Sequence, residues 1–211
     1  VSPVSWVRVD PEIEWIADFS VHQPDVMWIE QLEGDRDVIA QYDAIRALQS
    51  MPSEATCLAL EKTIADFKAF HRIRSAGLVA MASCSTVSLN FAGARKLVDM
   101  FARRFGLREA GSPQVLPRPN NFENLSNYYL LVSIPEAVGV LRDQHGGCPE
   151  QALQLLVSLL RYNDNSMNAY SDYNYLVRVM DSIAGAFSSL SSTTSGNQLV
   201  NACLEELDRY A

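Results

Sequence analysis

Residues for metal and nucleophile chemistry are scarce in this sequence. It holds three histidines in 211 residues, His22, His71 and His145, and none falls in the H-E-x-x-H spacing that sets two imidazoles on one helix face for zinc. The phosphate-cradling loops G-x-x-x-x-G-K-[ST] and G-x-G-x-x-G are missing, and so is the G-x-S-x-G turn of a serine nucleophile. Catalysis requires acid, base, nucleophile or metal ligands that converge, so no catalytic residue, metal ligand or cofactor site is expected. His71, ahead of Arg72-Ile73-Arg74, reads as a surface or capping residue. Asp35-Arg36-Asp37 reads as the acidic start of a helix, because adjacent residues on a helix point apart and cannot share a cation.

The four cysteines, Cys57, Cys84, Cys148 and Cys203, form no C-x-x-C pair. They fit free thiols in a reducing compartment better than a disulfide framework or a zinc knuckle. No run of about 18 apolar residues exists to cross a bilayer, so no membrane partner is expected. Basic residues are outnumbered, 17 against 25 acidic, for a net charge of −8. That balance disfavours nonspecific DNA binding, which needs Lys and Arg to displace counterions. The start, Val1-Ser2-Pro3-Val4, has neither an initiator Met nor a signal-peptide pattern, and the chain reads as a piece of a longer one.

The sequence is rich in helical periodicity. Residues 1–22 stand apart: Trp6-Val7-Arg8-Val9-Asp10 and Trp15-Ile16-Ala17-Asp18-Phe19-Ser20-Val21 alternate around Asp10-Pro11, which predicts two short strands. Two strands alone are not stable in water, so they are expected to belong to a β-domain that is mostly missing here. From residue 23 to 211 the pattern is helical. Pro24 suits a first helical position. Further helices are expected over 35–49, from the Ser53 cap to about residue 70 with Cys57, Leu60, Ile64 and Phe67 on one face, and over 72–82 and 87–105. Residues 106–121, with three prolines and two glycines, predict a loop. Helices follow over 122–131 and from Pro135 to about residue 144. Pro149 opens one with Leu153, Leu156, Val157 and Leu160 at helical spacing. Ser171 caps one carrying Leu176, Val179, Met180, Ile183 and Phe187, and a last follows a Ser/Thr/Gly linker with Leu199, Cys203 and Leu207.

A shift that lays Gln41 on Arg74 also lays Ala44 on Gly77, Ile45 on Leu78, Ala47 on Ala80 and Leu48 on Met81. Arg178, Asp181, Ile183, Ala184 and Gly185 make a third copy. Small residues at matching places let helix pairs stack, so the fold class expected is mainly α, an α-solenoid of HEAT-like helix pairs.

Two features point to partners. Arg95, Lys96, Arg103, Arg104 and Arg108 crowd one stretch and could meet an acidic peptide or DNA phosphate, or form a solvated helix face. Tyr162, Asn163, Asp164 and Asn165, with Tyr170, Tyr173 and Tyr175 nearby, fit an interaction loop as well as an ordered turn whose side chains satisfy the local backbone.

Several ordered segments carry a family resemblance: Trp6 to Pro11, Gln23 to Trp28 with Gln31-Leu32, Asp35 to Gln41, Phe70 to Arg74, Asn120-Asn121-Phe122, Ile134-Pro135, Leu141-Arg142-Asp143, Arg161 to Asn165 and Tyr170-Ser171-Asp172. Together they resemble the TFIID subunit 2 family of TBP-associated factors, built like zinc aminopeptidases. The resemblance implies a noncatalytic scaffold in the nucleus, with residues 1–22 as the end of a truncated β-sandwich and 23–211 as the solenoid that follows it. It also implies a role in core-promoter recognition and RNA polymerase II preinitiation complex assembly. Its implied partners are other TFIID subunits, especially TBP-associated factor 8, with promoter DNA reached through the full-length protein and no small-molecule substrate. The alternatives are the C-terminal helical domain of an active zinc aminopeptidase and an unrelated HEAT-type adaptor.

Overall fold

The computed structural model describes residues 4–108 and 115–187, together with Asn201 and Glu205. The linker and final helix expected near Leu199, Cys203 and Leu207 lie outside the described residues, as does Cys203. Eight α-helices are described: α1 (Asp25–Gly34), α2 (Val38–Gln49), α3 (Glu54–Ala65), α4 (His71–Met81), α5 (Ala92–Arg104), α6 (Leu125–Gly139), α7 (Glu150–Arg161) and α8 (Tyr173–Phe187). Each odd helix turns back on the even one after it, as α1 on α2 and α3 on α4. The even helices α2, α4, α6 and α8 then lie side by side in chain order, and α1, α3 and α5 make a second layer. The chain is therefore a mainly α solenoid, with one continuous apolar core running from Trp28 to Ala186.

Local chemistry sets the boundaries. Asp37 caps α2 by accepting from Ile39 N at 3.0 Å. Ser53 caps α3 through Thr56 N at 3.0 Å, and Asn124 caps α6 through Asn127 N at 3.0 Å. Helix α7 buries Leu153, Leu156, Val157 and Leu160 on the stripe their spacing defines.

Other expectations need correction. Helix α3 stops at Ala65, so Phe67 lies beyond it and is 75% exposed instead of joining Cys57, Leu60 and Ile64. The helix expected from residue 87 starts at Ala92, because Asn90 and Phe91 take positive φ of 47° and 53° and break it. Gly93 then lies against the end of α4, where a Cβ would come within 2.2 Å of Met81 O. Pro135 does not divide two helices but sits inside α6. An interior proline costs about 3 kcal/mol. Burial of Leu130, Leu131, Ile134 and Val138, at roughly 1.5–3 kcal/mol each, outweighs it.

The single ladder among the described residues is β1 (Gly106–Arg108) paired antiparallel with β2 (Val115–Pro117), in the stretch expected to be a loop. No ladder forms in residues 4–22, where two strands were expected. The Asp10 carboxylate accepts from Glu14 N at 3.0 Å and Trp15 N at 2.9 Å, and Val7 N is taken by Gln23 Oε1 at 3.1 Å. Donors that a ladder would need are thus spent on side chains. The segment is fastened to α1 and α2 instead. Arg8 pairs with Asp35 and Asp37, and the Trp6 ring lies over Gly34, where even a Cβ would stand 3.1 Å from it. Gln23 passes a hydrogen bond to Gln31, which donates to Ala40 O at 2.9 Å in the core.

The repeat is real in its first two copies. Ala44, Ile45 and Leu48 on α2 are buried, as are Gly77, Leu78 and Met81 on α4. Gln41 donates to Asp35 O at the end of α1 (3.0 Å), and Arg74 donates to Ile64 O in the last turn of α3 (3.0 Å). Both thus satisfy a carbonyl at the end of the preceding helix. The third copy fails. A Cβ on Gly185 would meet nothing within 4 Å, whereas one on Gly139 of α6 would stand 2.9 Å from Ser182 Cβ of α8. Gly139 is the small residue at that crossing. Ala47 is only half-buried and borders a hollow beside residues 7–21, not a helix crossing.

Candidate partner-binding surface

The basic stretch does not form one patch. Arg95 turns back to donate to Asn90 O, stitching the left-handed turn before α5. Lys96, Arg103 and Arg104 fall on the other side, with Met100 between them, as residues one and two turns apart must. Arg108 is exposed on β1. Lys96 pairs with Glu61 of α3, which holds its amine above the usual lysine value. Arg103 pairs with Asp99, one turn earlier, at 2.6 Å. Arg104 is half-buried, and burial lowers its pKa.

These side chains rim a groove of about 350 Å³ between α3 and α5, floored by Ile64, Leu78, Met81, Leu97 and Met100. Arg104 also borders a second hollow of about 440 Å³, with Arg118, Asn121, Asn124, Asn127 and Tyr128. Among the described residues no carboxylate lines that second hollow. The Asn124 Oδ1 is engaged by the α6 cap, and the Asn121 Oδ1 accepts from Glu123 N at 2.7 Å. Each of these amide oxygens is thus engaged in a local turn, and the amide nitrogens are donors only. Arg118, whose Nε donates to Gly106 O at 3.0 Å, was not singled out in the sequence because nothing in its neighbours marks it.

The second sequence candidate, the polar connector, is occupied mainly with holding turns. Asn163 donates to the Asp172 carboxylate at 2.6 Å and accepts from Asn120 at 3.0 Å. The backbone O of Asp164 accepts from Asn120 N at 2.8 Å, and its carboxylate accepts from Ser166 N at 2.9 Å, which lowers its pKa. Asn165 donates to Tyr170 O at 2.7 Å. Tyr162, Met167, Tyr170 and Tyr173 point outward from this frame, while Tyr175 is buried in α8.

A third groove escaped the sequence reading, because it exists only once the even helices are side by side. Tyr42 and Arg46 of α2, Arg72 and Ser75 of α4, Ser133 and Glu136 of α6 and Arg178 of α8 line about 270 Å³. Arg178 pairs with Glu136 at 2.9 Å across two repeats.

Residues of conventional chemistry lie elsewhere. Cys57, Cys84 and Cys148 are free and buried, and burial pushes the Cys84 thiol up to about 12. His71 is packed between Phe70 and Tyr129, each ring 4.5 Å away, and its pKa is lowered by burial and then by Arg72 and Arg74. His22 meets Ser20, and His145 sits in the turn organised by Asp143. Asp35 and Asp37 grip Arg8. Among the described residues no three His, Cys, Asp or Glu side chains gather into a metal-binding group.

Comparison with known proteins places this arrangement. The family described as "TAF2-like, TPR repeats" matches residues 25–209. Transcription initiation factor TFIID subunit 2 of Drosophila melanogaster is 36% identical over 183 residues, 86% of this chain and 15% of its own length. The protein of the same name in Gallus gallus is 31% identical over 217 residues, 99% of this chain and 18% of its own. That of Schizosaccharomyces pombe is 31% identical over 215 residues, covering 97% and 18%. The chain therefore spans less than a fifth of the length of these relatives.

Proposed function

The chain belongs to the TAF2-like family of TPR-repeat proteins, and on that premise we propose that it is a noncatalytic scaffold segment of TFIID that holds other subunits, TBP-associated factor 8 first among them. The observation that carries this reading is the layer of even helices, whose exposed groove draws side chains from α2, α4, α6 and α8 alike. A surface built from four alternate helices of the stack suits an extended partner better than a small substrate. Family membership removes the unrelated HEAT-type adaptor. The relatives' name, that of a transcription initiation factor subunit, favours a scaffold over the helical domain of a working aminopeptidase. We further propose that it works in the nucleus and supports core-promoter recognition and preinitiation complex assembly. Promoter DNA is met through the longer protein, because a charge of −8 opposes DNA on this segment.

Residues 1–22 are proposed to close a β-sandwich of the longer protein, with 23–211 as the solenoid. The alternation in the sequence of residues 6–10 and 15–21, and the exposed Trp15 and Ile16, which such a domain would cover, support this. The test of the functional reading is titration of the chain with recombinant TBP-associated factor 8 by calorimetry. Saturable binding is expected. No heat with that factor, and none with the other TFIID subunits in turn, would overturn it.

A further inference from the structure

The two hollows that share Arg104 have complementary chemistry. The first is floored by apolar side chains and rimmed by Lys96, Arg103 and Arg104. The second offers Arg104, Arg118 and the amides of Asn121, Asn124 and Asn127, with no acid among the described residues. Across both, the only lining carboxylate among the described residues is Glu61, already engaged by Lys96. This concentration of donors stands on a chain of net charge −8. We propose that Arg104 unites the two hollows into one docking groove for an acidic peptide segment of a partner protein, seating an apolar side chain between α3 and α5 and a neighbouring carboxylate against Arg104 and Arg118.

The chemistry selects this occupant over others. The Arg104 and Arg118 guanidiniums only donate, and the Asn121 and Asn124 oxygens already accept local bonds, so the lining favours a ligand rich in acceptors, which carboxylates and peptide carbonyls supply. An apolar floor rewards burial of a side chain such as Leu, while a phosphate would lose hydration there for no contact. Arg104 is half-buried among apolar groups, so an ion pair formed on it is less screened than one at the open surface. The inference rests on the scaffold reading and names the chemistry of one partner contact.

The test uses the full chain and a short fluorescein-labelled peptide of alternating Glu and Leu, read by anisotropy. Saturable binding is expected. Replacing the peptide's Leu with Ser, or changing Arg104→Glu or Arg118→Glu in the protein, should each weaken it by about tenfold or more. Asn127→Asp is the folding control. An acidic residue in the first turn of α6 favours the helix, so reduced binding by that variant, at an unchanged melting temperature, reports the groove. Indifference to all three substitutions, no saturable binding, tighter binding of a labelled DNA duplex, or displacement of the peptide by self-association of the chain would overturn the proposal. The Arg104→Glu chain is also titrated with the TFIID subunits. Subunit capture by wild type, unchanged in this variant, with no peptide binding, sinks the groove and leaves the scaffold. Capture by neither sinks the scaffold itself.

Discussion

Asn120, in the stretch leading to α6, donates to the buried Asp172 carboxylate ahead of α8 at 2.9 Å, across 52 residues of chain. Asn163 joins the same carboxylate, so one acid fastens the stretch before α6 to the connector between α7 and α8. Asp172→Ala leaves two amide donors without their acceptor and should cost about 1–3 kcal/mol. In a double-mutant cycle with Asn120→Ala, urea denaturation should give a coupling energy of roughly 0.5 kcal/mol or more. Strict additivity would mean that the contact contributes nothing.

The crossing of α6 and α8 depends on Gly139. Gly139→Ala drives a methyl against Ser182 and should destabilise by about 1–3 kcal/mol. Gly185→Ala, on the same α8 but without such a neighbour, should stabilise by up to about 1 kcal/mol through helix propensity. Thermal melts of the two variants must move in opposite directions. If Gly185→Ala is the damaging one, the third repeat copy is restored.

Ala80 is buried on α4 in the position the repeat assigns it, while Ala47 is half-buried. Ala80→Leu should therefore cost about 1–3 kcal/mol by overpacking, and Ala47→Leu clearly less. Equal melting temperatures for the two would contradict the unequal burial.

The Asp37 pKa is lowered below 3.8, first by the Ile39 N–H it accepts and then by Arg8. A carboxylate depressed in the folded state stabilises above its unfolded value, and that stability is lost as pH falls through the folded value. Acid unfolding should therefore draw on Asp37 below about pH 4. Arg8→Gln should raise the Asp37 midpoint seen by NMR without returning it to 3.8, because the larger cause, the Ile39 hydrogen bond, survives. A midpoint that does not move would show that Arg8 is not paired in solution.

Much of the solenoid was legible because periodicity and caps are local. Ser53, Pro149 and the leucines of α7 identify their helices from residues a few positions away. What failed depends on distant neighbours. Pro135 breaks a helix by local rules, and only the core around Ile134 and Val138 overrides it. Phe91 in a left-handed turn has no sequence mark. The alternation of Trp6 to Val21 is strand-like, but its donors go to Asp10 and Gln23. In the candidate surface the sequence brought out Lys96, Arg103 and Arg104, whose helical spacing predicts a shared face. Arg95 and Arg108 were grouped with them by proximity in the chain, which is not proximity in space. The groove across the even helices required the tertiary arrangement, since Arg46, Arg72 and Arg178 lie on three different helices.

The most direct test of the scaffold reading is quantitative mass spectrometry of TFIID purified from cells whose only copy of the full-length protein lacks this helical segment. The account predicts that the truncated protein loses its co-purifying TFIID subunits, TBP-associated factor 8 most of all, while its own abundance is held constant by titrated expression. Recovery of every subunit in unchanged proportion would contradict it.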